Sequence, residues 1–208
     1  MSEPNYWSVP PLWRGEIAAI IAGGPSLTQE QVDKLKGLKV IAVNNGYLLA
    51  PWADVLYGCD QKWWKWHPDA LEFQGLKVTM TDPVHESIHQ IRNGGPVGLC
   101  LKPDGLATGR NGGYQAINLA YHFGAKVILL VGYDMKLGEK GEVHWHEEHL
   151  KPTPKTIFPG WIKHYNSIVE PLKEQGVRVI NCTPGSALKC FEQMELDLAI
   201  ERAREDRL

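Results

Sequence analysis

The sequence predicts an α/β protein with a mainly parallel, doubly wound sheet, and three observations lead to that prediction. An apolar run at 17–22 passes directly into a Gly-Gly-Pro-Ser turn that precedes a polar segment. A glycine-led amphipathic pattern at 112–123 is followed by a glycine, a strongly apolar run and an aspartate. Elsewhere, short apolar runs alternate with helical patterns. This alternation is typical of a parallel sheet covered by helices on both faces, and we expect a Rossmann-like arrangement.

Each predicted strand is a short apolar run bounded by turn residues, and each predicted helix has apolar residues at helical spacing. The strands are predicted at 17–22, 39–43, 54–57, 76–80, 97–101, 126–131 and 177–180. The helices are predicted at 28–36, with Ser26 or Thr28 as N-cap, at 61–66, 112–123 and 161–174, and from 186 onward. The proline-containing stretch 136–159 has little periodicity, which indicates a lid-like loop.

We predict one nucleotide-binding α/β domain over residues 1–208, with 186–208 as a helical tail. The chain has 208 residues, is 43% hydrophobic and carries a formal net charge of −2. That charge provides no strong basic field for nucleic acid. No apolar run is long enough to cross a bilayer, and the amino terminus lacks the pattern of a secretion signal. The four cysteines form no CxxC pair, so we expect reduced thiols in a cytoplasmic protein.

Loops that follow parallel strands meet at one edge of a sheet, where such folds bind ligands. The first such loop is the turn formed by Gly23, Gly24, Pro25 and Ser26. Glycine lets the backbone approach a phosphate or ribose closely, and the helix that follows would offer its N–H groups to an anion. No lysine follows, so it is not a Walker loop. The alternative is a tight strand-to-helix connection without a ligand.

The loops after the second and third predicted strands also carry polar side chains. Asn44 and Asn45 suit a base or a sugar hydroxyl because a carboxamide both donates and accepts; the alternative is an Asn-Gly turn. Asp60 suits a ribose hydroxyl or a metal ion, or it is the N-cap of the helix at 61–66. The tryptophan cluster at 63–66 either stacks on a planar ligand or a sugar, or belongs to the core.

Two further loops surround the helix and strand at 112–131. Backbone N–H groups at the start of this helix can bind a phosphate, and an arginine there can neutralise it; the alternative is a flexible capping loop. The residues concerned are Thr108, Arg110, Asn111, Gly112 and Gly113. Asp134 follows the strand and suits Mg²⁺ bound to a polyphosphate or a ligand hydroxyl, or it is a structural N-cap.

The densest chemical segment is His-Trp-His-Glu-Glu-His at 144–149. His144 and His146 would point to one side of an extended segment, as a metal site needs. One imidazole could instead act as general acid or base, and a solvated acidic loop is a third interpretation. The segment is not HExxH, since His146 and His149 are three residues apart.

These motifs resemble the domain shared by archaeal 6-hydroxymethylpterin diphosphokinases and many bacterial and phage proteins. The resemblance is carried by GGPSL after the first strand, VNN after the second, and GGYQAINLAYHFGAKVILLVGYDM. Where the family typically has G-x-G-P-S-L, this sequence has Ala22 in place of the first glycine. The arrangement is also similar to bacterial sialyltransferases that use a CMP-activated sugar.

The sialyltransferase resemblance implies that the first glycine turn and the asparagines hold a nucleotide, and that a loop histidine is the base. That histidine would be His144, or else His146 or His149. The segment at 108–112 occupies the helix-opening position but lacks the paired serines of that family.

Together these features predict a transferase that moves a sugar from a CMP- or UDP-linked nucleotide sugar to an acceptor hydroxyl. One alternative is a pterin-type diphosphokinase using ATP and Mg²⁺, with Asp60 and Asp134 as metal carboxylates. Another is a catalytically silent, phage-type nucleotide-binding or assembly module. The acceptor stays open among a saccharide, a lipid, a protein and a modified DNA base, and the eight tryptophans leave a homo-oligomer open.

Overall fold

A computed structural model describes residues 6–146, 154 and 156–205. An eight-stranded sheet forms the centre of the molecule, and two further strands form a small separate ladder. All neighbouring strands are parallel. The strands are β1 (Ile17–Ile21), β2 (Lys39–Val43), β3 (Val55–Tyr57), β4 (Leu76–Thr79), β5 (Ile88–Gln90), β6 (Arg92–Gly95), β7 (Gly105–Ala107), β8 (Val127–Val131), β9 (Arg178–Asn181) and β10 (Glu192–Gln193).

The strand order of the large sheet is β10-β9-β8-β1-β2-β3-β4-β5. The order therefore reverses at β1, which pairs with β2 on one side and β8 on the other. A crevice at the carboxyl ends of the strands is expected at such a reversal. Every residue of β1 and β8 is buried, as expected for central strands covered on both faces. The predicted doubly wound, Rossmann-like fold is confirmed.

In the described part of the chain, five α-helices cover the two faces, and 3₁₀ turns occupy Asn44–Leu48 and Pro68–Glu72. The helices are α1 (Gln29–Asp33), α2 (Gln61–Trp66), α3 (Gly112–Phe123), α4 (Phe158–Glu174) and α5 (Leu196–Glu205). The helices α3 and α4 pack on one face, and α1, α2 and α5 pack on the other. Alternation along β1 divides its side chains between the two cores, with Ile20 in the first and Ile21 in the second.

The largest difference from the sequence prediction lies between β4 and α3. The strand predicted at 97–101 is wrong, because this segment is irregular and its backbone bonds to a side chain of α3. The amide of Asn118 accepts from the N–H of Cys100 at 2.9 Å and donates to its carbonyl at 3.0 Å. The same Oδ1 accepts from Ala107 N–H at 3.1 Å. A buried asparagine thus replaces the strand partner that 97–101 would need.

Smaller differences concern helix ends. The helix α1 ends at Asp33 rather than at 36, and α4 begins at Phe158, three residues before its predicted start. The tail is only partly helical, since β10 precedes α5. Of the predicted lid-like loop 136–159, residues 136–146 are irregular, whereas His149 and its neighbours lie outside the described residues.

None of the helices within the described ranges is long and apolar enough to span a membrane. The four cysteines are free thiols.

Candidate functional site

A cavity of about 630 Å³ opens where the strand order reverses. Its wall is built from loops that follow four strands and precede α3, so distant parts of the chain meet there. The sequence-predicted residues that line it are Gly23, Gly24, Pro25, Asn44, Asn45, Asp60, Arg110, Asn111, Gly112, Gly113, Asp134, His144 and His146. The convergence expected from a parallel sheet is therefore present, while binding itself stays a prediction.

Two predicted ligand-binding residues are not part of the cavity wall. Ser26 lies beyond the turn, where its backbone N–H donates to Oδ1 of Asp134 at 3.2 Å. The hydroxyl of Thr108 donates to the carbonyl of Pro96 at 3.2 Å and holds the loop before α3. Both residues therefore support the loops that form the cavity.

The helix after the first turn begins outside the cavity, since no residue of α1 lines it. Of the two N-caps that the sequence allowed, Thr28 caps α1: its hydroxyl accepts from Gln31 N–H while the Gln31 side chain accepts from Thr28 N–H. This capping box satisfies two of the N–H groups at the helix start. Anion binding by this helix start stays a prediction.

Gly24 makes the closest backbone approach at the site. Its N–H donates to the carbonyl of Gly132 at 2.8 Å and joins the loops after β1 and β8. A Cβ at Gly24 would overlap Oδ2 of Asp134 and the carbonyl oxygen of Gly132. Only glycine fits between these atoms, which explains the glycine at this point of the turn.

Asp134 is a buried carboxylate beneath that turn, with 3% of its surface exposed. Its Oδ1 accepts from Ser26 N–H, but Oδ2 has no hydrogen-bond partner among the described residues. Burial raises the pKa of the Asp134 carboxyl, and the neighbouring Ser26 and Lys136 oppose that rise. A buried acceptor without a donor costs stability. A structural N-cap role alone therefore does not explain the burial of Oδ2 of Asp134.

The start of α3 is the best-formed candidate anion site in the cavity. Oδ1 of Asn111 accepts from Tyr114 N–H at 3.0 Å and from the Tyr165 hydroxyl at 2.7 Å. The side-chain oxygen of Asn111 is thus used by these two hydrogen bonds, one of which caps α3. The backbone N–H groups of Gly112 and Gly113 form no hydrogen bond with a described residue. They remain available to an anion at the positive end of the helix.

Backbone strain is concentrated at this cavity. The three described non-glycine residues with positive φ are Asn44 (47°), Arg110 (53°) and Met135 (51°). All three line the cavity, each in a different loop. Left-handed conformations of ordinary residues cost free energy and cluster at functional sites. The strain supports the interpretation of this cavity as the functional site.

Three cations line the cavity: Lys62, Arg110 and Lys136. All three are exposed, and none forms an ion pair with a residue that the structure describes. Unpaired cations around a concave site favour anionic ligands. Lys62 and Lys136 were not among the site residues predicted from the sequence. Each nevertheless lies within five residues after a strand end, where ligand-binding side chains concentrate.

The tryptophan cluster divides between the core and the cavity. Trp63 and Trp64 are buried, and Nε1 of Trp63 donates to Oδ1 of Asn45 at 2.8 Å. Trp66 stays 36% exposed and lines the cavity. The core interpretation therefore holds for Trp63 and Trp64, and stacking of Trp66 on a ligand stays a prediction.

His144 and His146 lie against the first turn. Nδ1 of His144 is 3.3 Å from the carbonyl oxygen of Gly23, and the two imidazoles are parallel with centroids 5.0 Å apart. An imidazole that donates from Nδ1 has its basic nitrogen at Nε2 when neutral. Because a carbonyl oxygen can only accept, this contact places the proton of a neutral His144 on Nδ1.

The carboxylates Asp60 and Asp134 both line the cavity, on loops that belong to different strands. They follow β3 and β8, which are three strand spacings apart in the sheet, or about 14 Å. Asp60 makes no side-chain cap of α2 although it occupies the N-cap position. Within 6–146, 154 and 156–205, no three His, Cys, Asp or Glu side chains are grouped to hold a metal ion. The two carboxylates are poorly placed to share one Mg²⁺.

Comparison with known proteins gives no match, either to protein-family models or to curated protein sequences. The resemblance to diphosphokinases and sialyltransferases therefore stays a prediction from the motifs.

Proposed function

We propose that this chain is a nucleotide-dependent transferase that moves a sugar from a nucleotide-sugar donor to an acceptor hydroxyl. The observation that carries the proposal is a combination around one cavity: the N–H groups of Gly112 and Gly113, which donate to no described residue, three cations without an ion-pair partner among the described residues, and a histidine whose Nδ1 lies against the first turn. Phosphate suits the first two features, and acid–base chemistry suits the third.

In the proposed reaction the bond between the anomeric carbon and the phosphate oxygen breaks, and the acceptor oxygen bonds to that carbon. Arg110 and the N–H groups of Gly112 and Gly113 stabilise the charge that grows on the departing phosphate. Nε2 of His144 takes the proton of the acceptor hydroxyl. Asn44, Asn45 and the Gly23-Gly24-Pro25 turn hold the nucleoside, and Asp134 shapes the turn from below.

The diphosphokinase alternative needs Mg²⁺ at the polyphosphate. Its two proposed carboxylates follow strands that are three positions apart, so this geometry favours glycosyl transfer. The silent-module alternative predicts binding without turnover.

The test is a thermal-shift screen with CMP, UDP, GDP and ATP, each with and without Mg²⁺, followed by turnover of nucleotide sugars. A ligand that binds only the folded state raises the unfolding midpoint. A rise with CMP or UDP in the absence of Mg²⁺, followed by release of nucleotide from a nucleotide sugar, supports the proposal. A rise with ATP only when Mg²⁺ is present favours the diphosphokinase. Binding without turnover, or no rise with any nucleotide, overturns the transferase.

A further inference from the structure

The orientation of the Asn45 side chain follows from its contact with Trp63. An indole nitrogen can only donate, so the 2.8 Å contact with Trp63 identifies the accepting atom of Asn45 as Oδ1. The amide group Nδ2 is consequently directed away from Trp63, on a residue that lines the cavity. No described hydrogen bond uses Nδ2. A ligand beside Asn45 must therefore present a hydrogen-bond acceptor.

Trp66 provides an aromatic surface next to this amide. It lies three residues after Trp63 on α2, so the two side chains share one side of the helix. Its 36% exposure at a cavity wall is unusual for a large apolar ring. A planar ring that covers it would remove this apolar surface from water and gain stacking energy.

These groups line the same cavity as the start of α3. A Cβ at Gly112 would lie 3.2 Å from Cγ1 of Val43, so the start of α3 lies close to the end of β2. The helix α2 follows β3, which is the next strand in the sheet. The aromatic surface and the N–H groups of Gly112 and Gly113 thus border one cavity, from elements associated with adjacent strands.

We propose that the α2 end of the cavity binds the base of the nucleotide, which stacks on Trp66 and accepts a hydrogen bond from Nδ2 of Asn45. Trp63 is a positioning residue that keeps this amide in its donating orientation. A pyrimidine with a 2-oxo group supplies both the ring and the acceptor. The inference rests on the proposed function only in assuming that the ligand is a nucleotide, and it does not depend on catalysis.

The test compares CMP and UMP with ribose 5-phosphate, which lacks the base, by competition binding. The wild type should bind the nucleotides about ten- to a hundredfold more tightly than ribose 5-phosphate. Trp66→Ala should remove most of this difference and leave the affinity for ribose 5-phosphate unchanged. Trp52→Ala is the matched control, since Trp52 is equally exposed but does not line the cavity; it should change neither affinity.

The role of the amide is tested by two further variants. Asn45→Asp keeps an acceptor for Trp63 but presents an oxygen instead of the donor, so it should weaken the nucleotides more than ribose 5-phosphate. Trp63→Phe should reduce the same difference, which a loss of stability alone would not do. Unchanged CMP and UMP affinity in Trp66→Ala overturns the base site while leaving nucleotide binding intact. Failure of the wild type to bind any nucleotide overturns both proposals.

Discussion

Nδ1 of His144 lies 3.3 Å from the carbonyl oxygen of Gly23, and this contact joins the loop after β8 to the turn after β1. The backbone N–H of Trp145 donates to the same oxygen at 3.2 Å. Two donors on one carbonyl hold the histidine segment at the wall of the cavity. The contact also selects the tautomer, because a neutral imidazole carries its proton on only one nitrogen.

Replacement of the histidine should separate catalysis from binding. We expect His144→Ala to lower turnover about a hundredfold or more, as removal of a general base does, while nucleotide affinity stays nearly unchanged. Turnover is measured by release of nucleotide and affinity by titration. His85→Ala is the control, because His85 is exposed, lies outside the cavity wall, and its imidazole bonds to Ser87. Wild-type turnover in His144→Ala would remove His144 from the mechanism.

The close approach at Gly24 predicts a large effect of a single methyl group. Gly24→Ala should destabilise the protein by about 2 kcal/mol or more, because the new Cβ overlaps backbone and a buried carboxylate. Gly160→Ala serves as control: a Cβ there meets nothing within 4 Å, and Gly160 lies in α4. Replacing this helical glycine with alanine should stabilise the protein by about 0.5 to 1 kcal/mol. Urea unfolding measures the stability of both variants. A Gly24→Ala variant as stable as the wild type would contradict the packing at Gly24.

The pKa of Asp134 predicts a pH dependence with a definite sign. Burial raises the pKa of this carboxyl above 3.8, so the folded state binds the proton more tightly than the unfolded state. Stability should therefore fall as the pH rises from 3.8 through the folded-state pKa, and stay lower above it. Asp134→Asn removes this loss and should stabilise the protein at pH 7 by about 1 kcal/mol.

The measurement is the urea midpoint of Asp134→Asn and wild type at pH 7 and at pH 3. The advantage of the variant should shrink at the lower pH, where the wild-type carboxyl is protonated in both states. Asp104→Asn is a control of opposite sign, because a hydrogen bond from Arg92 lowers the pKa of Asp104. A destabilised Asp134→Asn at pH 7 would show that the ionised form is the one the fold requires.

Arg110 combines strain with charge, so its replacement should affect stability and binding in opposite directions. Asparagine tolerates the left-handed conformation better than arginine. We expect Arg110→Asn to be slightly more stable than the wild type, and to bind nucleotide about tenfold more weakly through loss of one phosphate contact. Binding at two salt concentrations measures the charge contribution. Arg14→Asn, which alters an arginine outside the cavity, should leave affinity unchanged.

The central elements could be predicted because their signals are local. β1 and β8 are uninterrupted apolar runs, and α3 ends at Phe123, just before the C-cap Gly124 with its left-handed φ of 95°. The convergence of the loops follows from parallel topology alone. The positions of Gly24 and His144 at one site were therefore foreseeable from chain order.

The remaining features depend on contacts that no local pattern reveals. β5, β6 and β7 have three or four residues each and no apolar run, and the buried amide of Asn118 organises the loop beside them. Lys62 and Lys136 look like ordinary surface lysines in the sequence. The sequence left Ser26 and Thr28 as alternative N-caps of α1, and the capping box of Thr28 with Gln31 decides between them.

The placement of β1 has a consequence for the order in which the molecule can assemble on the ribosome. Ile21 pairs with Ala42 soon after it is translated, but its other partner, Val131, is made only after all the strands from β2 to β7. Until then one side of β1 has no permanent neighbour, and long-range pairing of this kind is slow. Fragments ending before β8 therefore lack one side of the cavity, and we expect them to bind no nucleotide.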